Sequence, residues 1–369
     1  MASTRVEPYW ELTFDAEGDA DPRERDALIR GAAQTGVTDL MIFAHGWNSS
    51  PSTATRLYRS FFALFGGLPV TGSARLGHAG VIWPSMRFTD EPIPDFPDRP
   101  AAAAGPGLAP GTREALEAVF PDRREVIGRL SELAEGRPED PARLTEFAEL
   151  ARTLAGRPGS GPASGAAGTA TGPAPDPAAD TGADTGVPAM LTEDPRQVCE
   201  RFADALAGTG AAPATLLGGA LRRLWDGALE LLRQITYFEM KRRAGTVGEA
   251  GLGPALGALA GACPGLRVHL IGHSFGARLM AFALRGLPAH TNPVRSLTML
   301  QGAFSHYAFA SRLPFDARHA GALGGLAARV NGPVVGCHSR HDLALAVMYP
   351  LASRLSGDDH ALLGLDEAR

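Results

Sequence analysis

The pentapeptide Gly272-His273-Ser274-Phe275-Gly276 is where this chain could do covalent chemistry. It directly follows the apolar run Leu266–Ile271 and precedes a helix-compatible stretch, Ala277–Gly286. A serine on a sharp strand-to-helix turn is pushed out of the sheet, and small residues two before and two after it let the turn close. Ser274 is therefore the candidate nucleophile, with Gly272, His273 and Gly276 shaping its turn. The bare pattern is weak in a chain with 45 glycines, so the reading rests on the strand before it and the helix after it. A second feature, His45-Gly46-Trp47-Asn48, ends the apolar run Asp39–Ala44. Charge that builds on a carbonyl oxygen under attack needs donors aimed at it, and backbone N–H groups of this loop, together with that of Phe275, could supply them. Gly46 lets the backbone approach closely.

The elements that must position these residues read as an α/β fold: a mostly parallel sheet with helices on both faces, because apolar runs alternate with helical spacing. Strands are expected near Tyr9–Phe14, Asp39–Ala44, Gly80–Trp83, Leu266–Ile271, Ser296–Leu300 and Pro333–Gly336. The last three are each followed by a helix-compatible segment. Helices are expected near Pro22–Ala33, opened by Asp21 and Pro22, and near Thr53–Phe65, Pro195–Ala207 and Thr215–Arg242. In the last of these, Leu217, Leu221, Leu224, Ala228, Leu232 and Ile235 form one apolar stripe suited to core packing. Residues 1–100 and 190–369 read as one catalytic core. Residues 101–155 read as a helical insertion of two or three short helices broken at Pro121, Pro138 and Pro141. Residues 156–189, of which 29 of 34 are Gly, Ala, Pro, Ser or Thr, read as a disordered linker that buries too little to offset its ordering entropy.

With an HGW loop after an early apolar strand, GHSFG at a strand-to-helix turn and an acid after a later strand, the chain resembles the α/β-hydrolase superfamily of serine hydrolases, which includes esterases and lipases. The similarity covers roughly residues 5–95 and 195–350. The resemblance implies a triad in the chain order Ser, Asp or Glu, His. Pro333–Gly336 leads into Cys337-His338-Ser339-Arg340-His341-Asp342, so Asp342 takes the place of the acid. Only His360 lies beyond it, which makes His360 the base by chain order. The family pattern places a final strand before that histidine, whereas Ala344 to Asp359 reads as helix and loop. Either His360 lies on an unusual carboxyl-terminal extension or the base lies beyond Arg369. His338 and His341 would break the chain order. The amides of Phe275 and Trp47 take the oxyanion-hole positions, with His45 and Gly46 supporting the loop. The implied activity is hydrolysis of an ester or related acyl substrate through an acyl-enzyme on Ser274, without a cofactor. An amidase, thioesterase or acyltransferase on the same fold, or a binding scaffold with an incomplete triad, stays open at this point.

Composition bounds the alternatives. Thirty-five basic residues stand against 40 acidic ones, for a net charge of −5, and no basic cluster is long enough to track phosphates, which argues against nucleic acid as a partner. Cys199, Cys263 and Cys337 are far apart, which suggests neither a metal knuckle nor a disulfide framework and fits a reducing compartment. No run of 18 apolar residues is present and the first residues lack a signal pattern, so a soluble, cytoplasmic chain without a membrane span is expected. His338, His341 and Asp342 could offer three metal ligands but sit in a loop without further cysteine or glutamate, so no metal is expected. Gly251-Leu-Gly253 lacks dinucleotide-loop spacing. Phe304, His306 and Tyr307 follow the strand Ser296–Leu300 and are candidates to line a pocket.

Overall fold

A computed structural model describes residues 6–65, 73–86, 88, 107–155, 189–208, 219–303, 305, 307–314 and 317–339. Among the described residues six strands form one sheet: β1 (Tyr9–Thr13), β2 (Asp39–Ala44), β3 (Leu76–Ile82), β4 (Arg267–His273), β5 (Val294–Leu300) and β6 (Val334–Cys337). Every pairing is parallel and the spatial order is β1-β3-β2-β4-β5-β6. A parallel sheet must be covered on both faces, and β2, buried at every position, reads accordingly as an uninterrupted apolar run.

Between the strands lie α1 (Pro22–Thr35) and α2 (Pro51–Ala63). Each starts on a short polar cap followed by proline: Asp21 accepts from the amides of Arg23 and Glu24, and Ser50 from that of Thr53. Gly36, at φ 62°, ends α1 in the left-handed conformation. The face formed by Met41, Phe43, Ile82 and Ile271 is covered by Ala54, Tyr58 and Phe62 of α2. The opposite face, with Leu40, Ile42, Val81, Val268 and Leu270, packs on Leu28 and Ala32 of α1 and on helices that come later in the chain.

Those later helices are α3 (Pro110–Val119), α4 (Arg124–Gly136), α5 (Pro141–Leu154), the single turn α6 (Ala189–Thr192), α7 (Pro195–Gly208), the 27-residue α8 (Ala220–Thr246), α9 (Gly253–Ala262) and α10 (Phe275–Gly286). The breaks expected at Pro121, Pro138 and Pro141 separate α3, α4 and α5, with a 3₁₀ turn at Pro121–Arg123. Buried residues of α4, α5 and α7, among them Leu130, Phe147 and Phe202, share one apolar cluster with α8 and the sheet. Polar links reinforce it, since Arg137 pairs with Asp226 at 3.0 Å and Trp225 Nε1 donates to the Pro138 carbonyl at 3.2 Å. A π-helical turn, Val247–Leu252, joins α8 to α9 where Gly248 and Gly286 allow backbones to meet.

Two local expectations need correction. The third strand begins at Leu76, four residues before the expected Gly80. Gly77 and Gly80 weaken its sequence signal, yet the side chains of Trp10 and Tyr58 lie over them where a Cβ would stand 3.0 Å or less away. After β5 no helix follows among the described residues; the connection is a series of turns with one 3₁₀ turn at Leu326–Arg329. Residues 156–188, most of the expected linker, lie outside the described residues. No helix of the described residues is long and apolar enough to cross a membrane.

Candidate active site

Ser274 is the residue between β4 and α10, and its backbone is at φ 54°, ψ −118°, a region that residues with a side chain rarely occupy. Such a conformation persists only where the surroundings fix it. Here the Ser274 amide donates to the Leu300 carbonyl at 2.9 Å, and the Ser274 carbonyl accepts from Ala277 at 3.0 Å and from Ala303 at 3.3 Å. The expected roles of Gly272 and Gly276 are visible as contacts. A Cβ on Gly272 would lie 2.4 Å from the Ala277 nitrogen, and one on Gly276 would lie 2.1 Å from the Ala44 carbonyl oxygen. Glycine at 276 thus lets the first turn of α10 abut the end of β2.

β2 and β4 are neighbours in the sheet, with Ala44 beside Gly272, so the HGW loop and the serine turn leave the same carboxyl edge side by side. From β2 the chain passes to β3 on one side, and from β4 to β5 on the other. The crevice between two such diverging strands is where open parallel sheets place their sites. Gly46 closes the distance: a Cβ there would be 3.0 Å from both Ser274 Cβ and His273 Nδ1. Phe275 opens α10, so its amide belongs to the first turn, whose N–H groups have no partner within the helix and carry the positive end of its dipole.

His45 holds the loop rather than titrating in it. Its ring, 1% exposed, stacks on Trp83 at 5.5 Å and 15°, and its Nδ1 is 2.8 Å from the Gly46 carbonyl, which places the proton on that nitrogen. Its amide donates to Tyr58 Oη at 2.9 Å and its carbonyl accepts from Trp83 Nε1 at 2.9 Å. Burial pushes the imidazole down to about 4, so it is neutral at physiological pH. Asn48, at φ 60°, turns the chain back. Its Oδ1 accepts from the Phe88 amide at 2.9 Å, and its own amide donates to the Met86 carbonyl at 3.2 Å, tying the loops after β2 and β3 together. The Asn at the end of HGWN was the available signal, because Asn tolerates the left-handed region. Trp47 packs its ring on Phe88, Tyr237 and Phe275, and neither Phe88 nor Tyr237 is singled out by sequence reasoning.

Ser274, Phe275, Trp47, His45, Gly46, Gly272, His273 and Gly276 therefore come together at one sheet edge. Asp342 and His360, with His341, Phe304 and His306, lie outside the described residues. β6 ends at Cys337 and the exposed His338 follows at the same carboxyl edge, two strand positions from β4 and so about 10 Å across the sheet. Tyr307 is partly buried in the turns after β5. Among the described residues no group of three or more His, Cys, Asp or Glu side chains is placed to hold a metal ion. What the arrangement offers is a serine on a strained turn, next to the loop that follows β2, at the carboxyl edge of a parallel sheet. Comparison with family models, with curated proteins and with solved structures gives no match to this chain.

Proposed function

We propose that the chain is a serine hydrolase of α/β-hydrolase type that cleaves an ester or related acyl substrate through Ser274. The observation that carries this reading is the strained backbone of Ser274 beside Gly46, because strained residues of this kind cluster at functional sites, where the surroundings hold them in place. In the proposed reaction Ser274 Oγ attacks the carbonyl carbon and its proton passes to a histidine base. By the chain order of the resembled family that base is His360, oriented by Asp342. The oxygen that gains negative charge accepts hydrogen bonds from the Phe275 and Trp47 amides. Collapse of the tetrahedral intermediate breaks the bond to the leaving alcohol, which takes the proton from the imidazole. Water, deprotonated by the same base, then releases the acid and restores Ser274. No step requires a metal or an organic cofactor. The exposed free thiol of Cys337 fits a reducing, cytoplasmic setting.

Stopped-flow hydrolysis of p-nitrophenyl butyrate tests this directly. A burst of p-nitrophenol equal to the enzyme concentration, with a butyryl mass increment on the peptide that contains Ser274, is expected. Absence of both burst and adduct from folded protein would refute the acyl-enzyme. A parallel panel of amide and thioester substrates separates the esterase from an amidase, thioesterase or acyltransferase on the same fold.

A further inference from the structure

We propose that Tyr237, in the middle of α8, is a positioning residue whose ring braces the two oxyanion-hole segments against one another. The inference rests on reading Ser274 as nucleophile. The Tyr237 ring centroid lies 4.7 Å from that of Phe275 and 5.5 Å from that of Trp47, and the Trp47 and Phe275 centroids are 6.3 Å apart. The three rings form a closed triangle, two corners of which are the residues whose amides must converge on one oxygen. Trp47 belongs to the loop after β2 and Phe275 is the first residue of α10 after β4, so a side chain packed on both rings couples two segments that are distant in sequence. Tyr237 is that side chain.

α8 is itself anchored within about a turn and a half of Tyr237. Arg278 Nε of α10 donates to the Lys241 carbonyl at 3.0 Å, the Met86 amide contacts Met240 Sδ at 3.2 Å, and Arg243 Nη1 donates to the Pro84 carbonyl at 3.1 Å. The brace is therefore fixed to α10 on one side and to the loop after β3 on the other. Farther toward its amino end, α8 carries the inserted helices through Asp226 and Trp225. The inserted helical layer thus packs on the same helix whose Tyr237 touches both proposed oxyanion-hole segments.

The test is steady-state hydrolysis of p-nitrophenyl butyrate by the full chain bearing Tyr237→Ala, Tyr237→Leu or Tyr237→Phe, with thermal melts to confirm folding. Loss of one well-placed oxyanion donor costs about 10²–10³ in kcat, so a loosened pair is expected to cost roughly tenfold to a hundredfold in Tyr237→Ala, with KM changed less than about threefold. Affinity for a trifluoromethyl ketone, which forms a tetrahedral oxyanion adduct, should fall in proportion to kcat/KM. Tyr237→Leu should fall between, and Tyr237→Phe should restore most of the rate because the ring makes the contact. The inference is overturned if folded Tyr237→Ala and Tyr237→Leu both keep kcat within about twofold, or if Tyr237→Phe is as impaired as Tyr237→Ala. It is also overturned if the ketone's affinity stays constant while kcat falls. A folded wild-type chain that neither hydrolyses the ester nor gains an acyl adduct refutes the serine-hydrolase reading and this inference together, whereas an active wild type with an indifferent Tyr237→Ala refutes this inference alone.

Discussion

Ser274 supplies the sharpest quantitative expectation, because it carries a Cβ at φ 54°, ψ −118° while hydrogen bonds to Leu300, Ala277 and Ala303 hold it there. Alanine at 274 keeps that Cβ and the strain, and glycine removes both. Strain of this kind costs on the order of 1–3 kcal/mol. Glycine's greater freedom in the unfolded chain returns roughly 0.4–1 kcal/mol. Ser274→Gly should therefore be about 1 kcal/mol more stable than Ser274→Ala, the reverse of the usual order of these two residues. Both variants lack Oγ, so their difference isolates the backbone from any contact the hydroxyl makes. Urea unfolding of the pair, fitted with a common slope, reads the difference as a shift of midpoint. An alanine variant as stable as the glycine variant, or more stable, would refute the strained-turn reasoning on which the nucleophile assignment stands.

Other consequences follow from single residues. Gly276→Ala should destabilise the fold by about 1–3 kcal/mol and abolish hydrolysis, since its Cβ meets the Ala44 carbonyl oxygen at 2.1 Å and forces α10 away from β2; a thermal melt unchanged from wild type would contradict this. Asp39 accepts from Arg267 Nε at 2.6 Å, from Thr38 Oγ1 at 2.7 Å and from His269 Nε2 at 3.2 Å, and the arginine above all lowers its carboxyl to about 2. Its folded value lies below its ordinary one of 3.8, so its contribution is complete above that pH and is lost as pH falls toward 2. The urea midpoint of wild type should drop through this window more steeply than that of Asp39→Asn. His45 is depressed in the same sense, from 6.5 to about 4, by burial. The unfolded chain then binds the extra proton, and stability should decline as pH falls from 6.5 toward 4, with a flatter profile in His45→Gln; equal slopes in the two proteins would show that His45 is not buried in its neutral form.

Much of the site is legible in the sequence because it is local. The serine turn needs small residues at fixed offsets: Gly272 stands where the end of β4 meets the start of α10, and Gly276 where α10 meets the end of β2. The caps of α1 and the apolar run of β2 are local signals in the same way. What escapes depends on contacts between distant segments. Tyr237 occupies an ordinary position on a long helix, and only the packing of α8 across α10 brings it to Trp47 and Phe275. Tyr58 reads as one more aromatic of α2, yet its hydroxyl meets the His45 amide. β3 reads short because its glycines speak against a strand until the overlying Trp10 and Tyr58 are known. The proposed acid and base, Asp342 and His360, rest on the chain order of the resembled family alone, and both lie outside the described residues.

The central claim is that Ser274 is an activated nucleophile, and labelling with a fluorophosphonate tests it whatever the natural substrate is. Mass spectrometry of the treated chain should place one phosphonyl adduct on the peptide containing Ser274, with none on Ser274→Ala. Folded wild-type protein that remains unlabelled, or a label that persists in Ser274→Ala, would contradict the account.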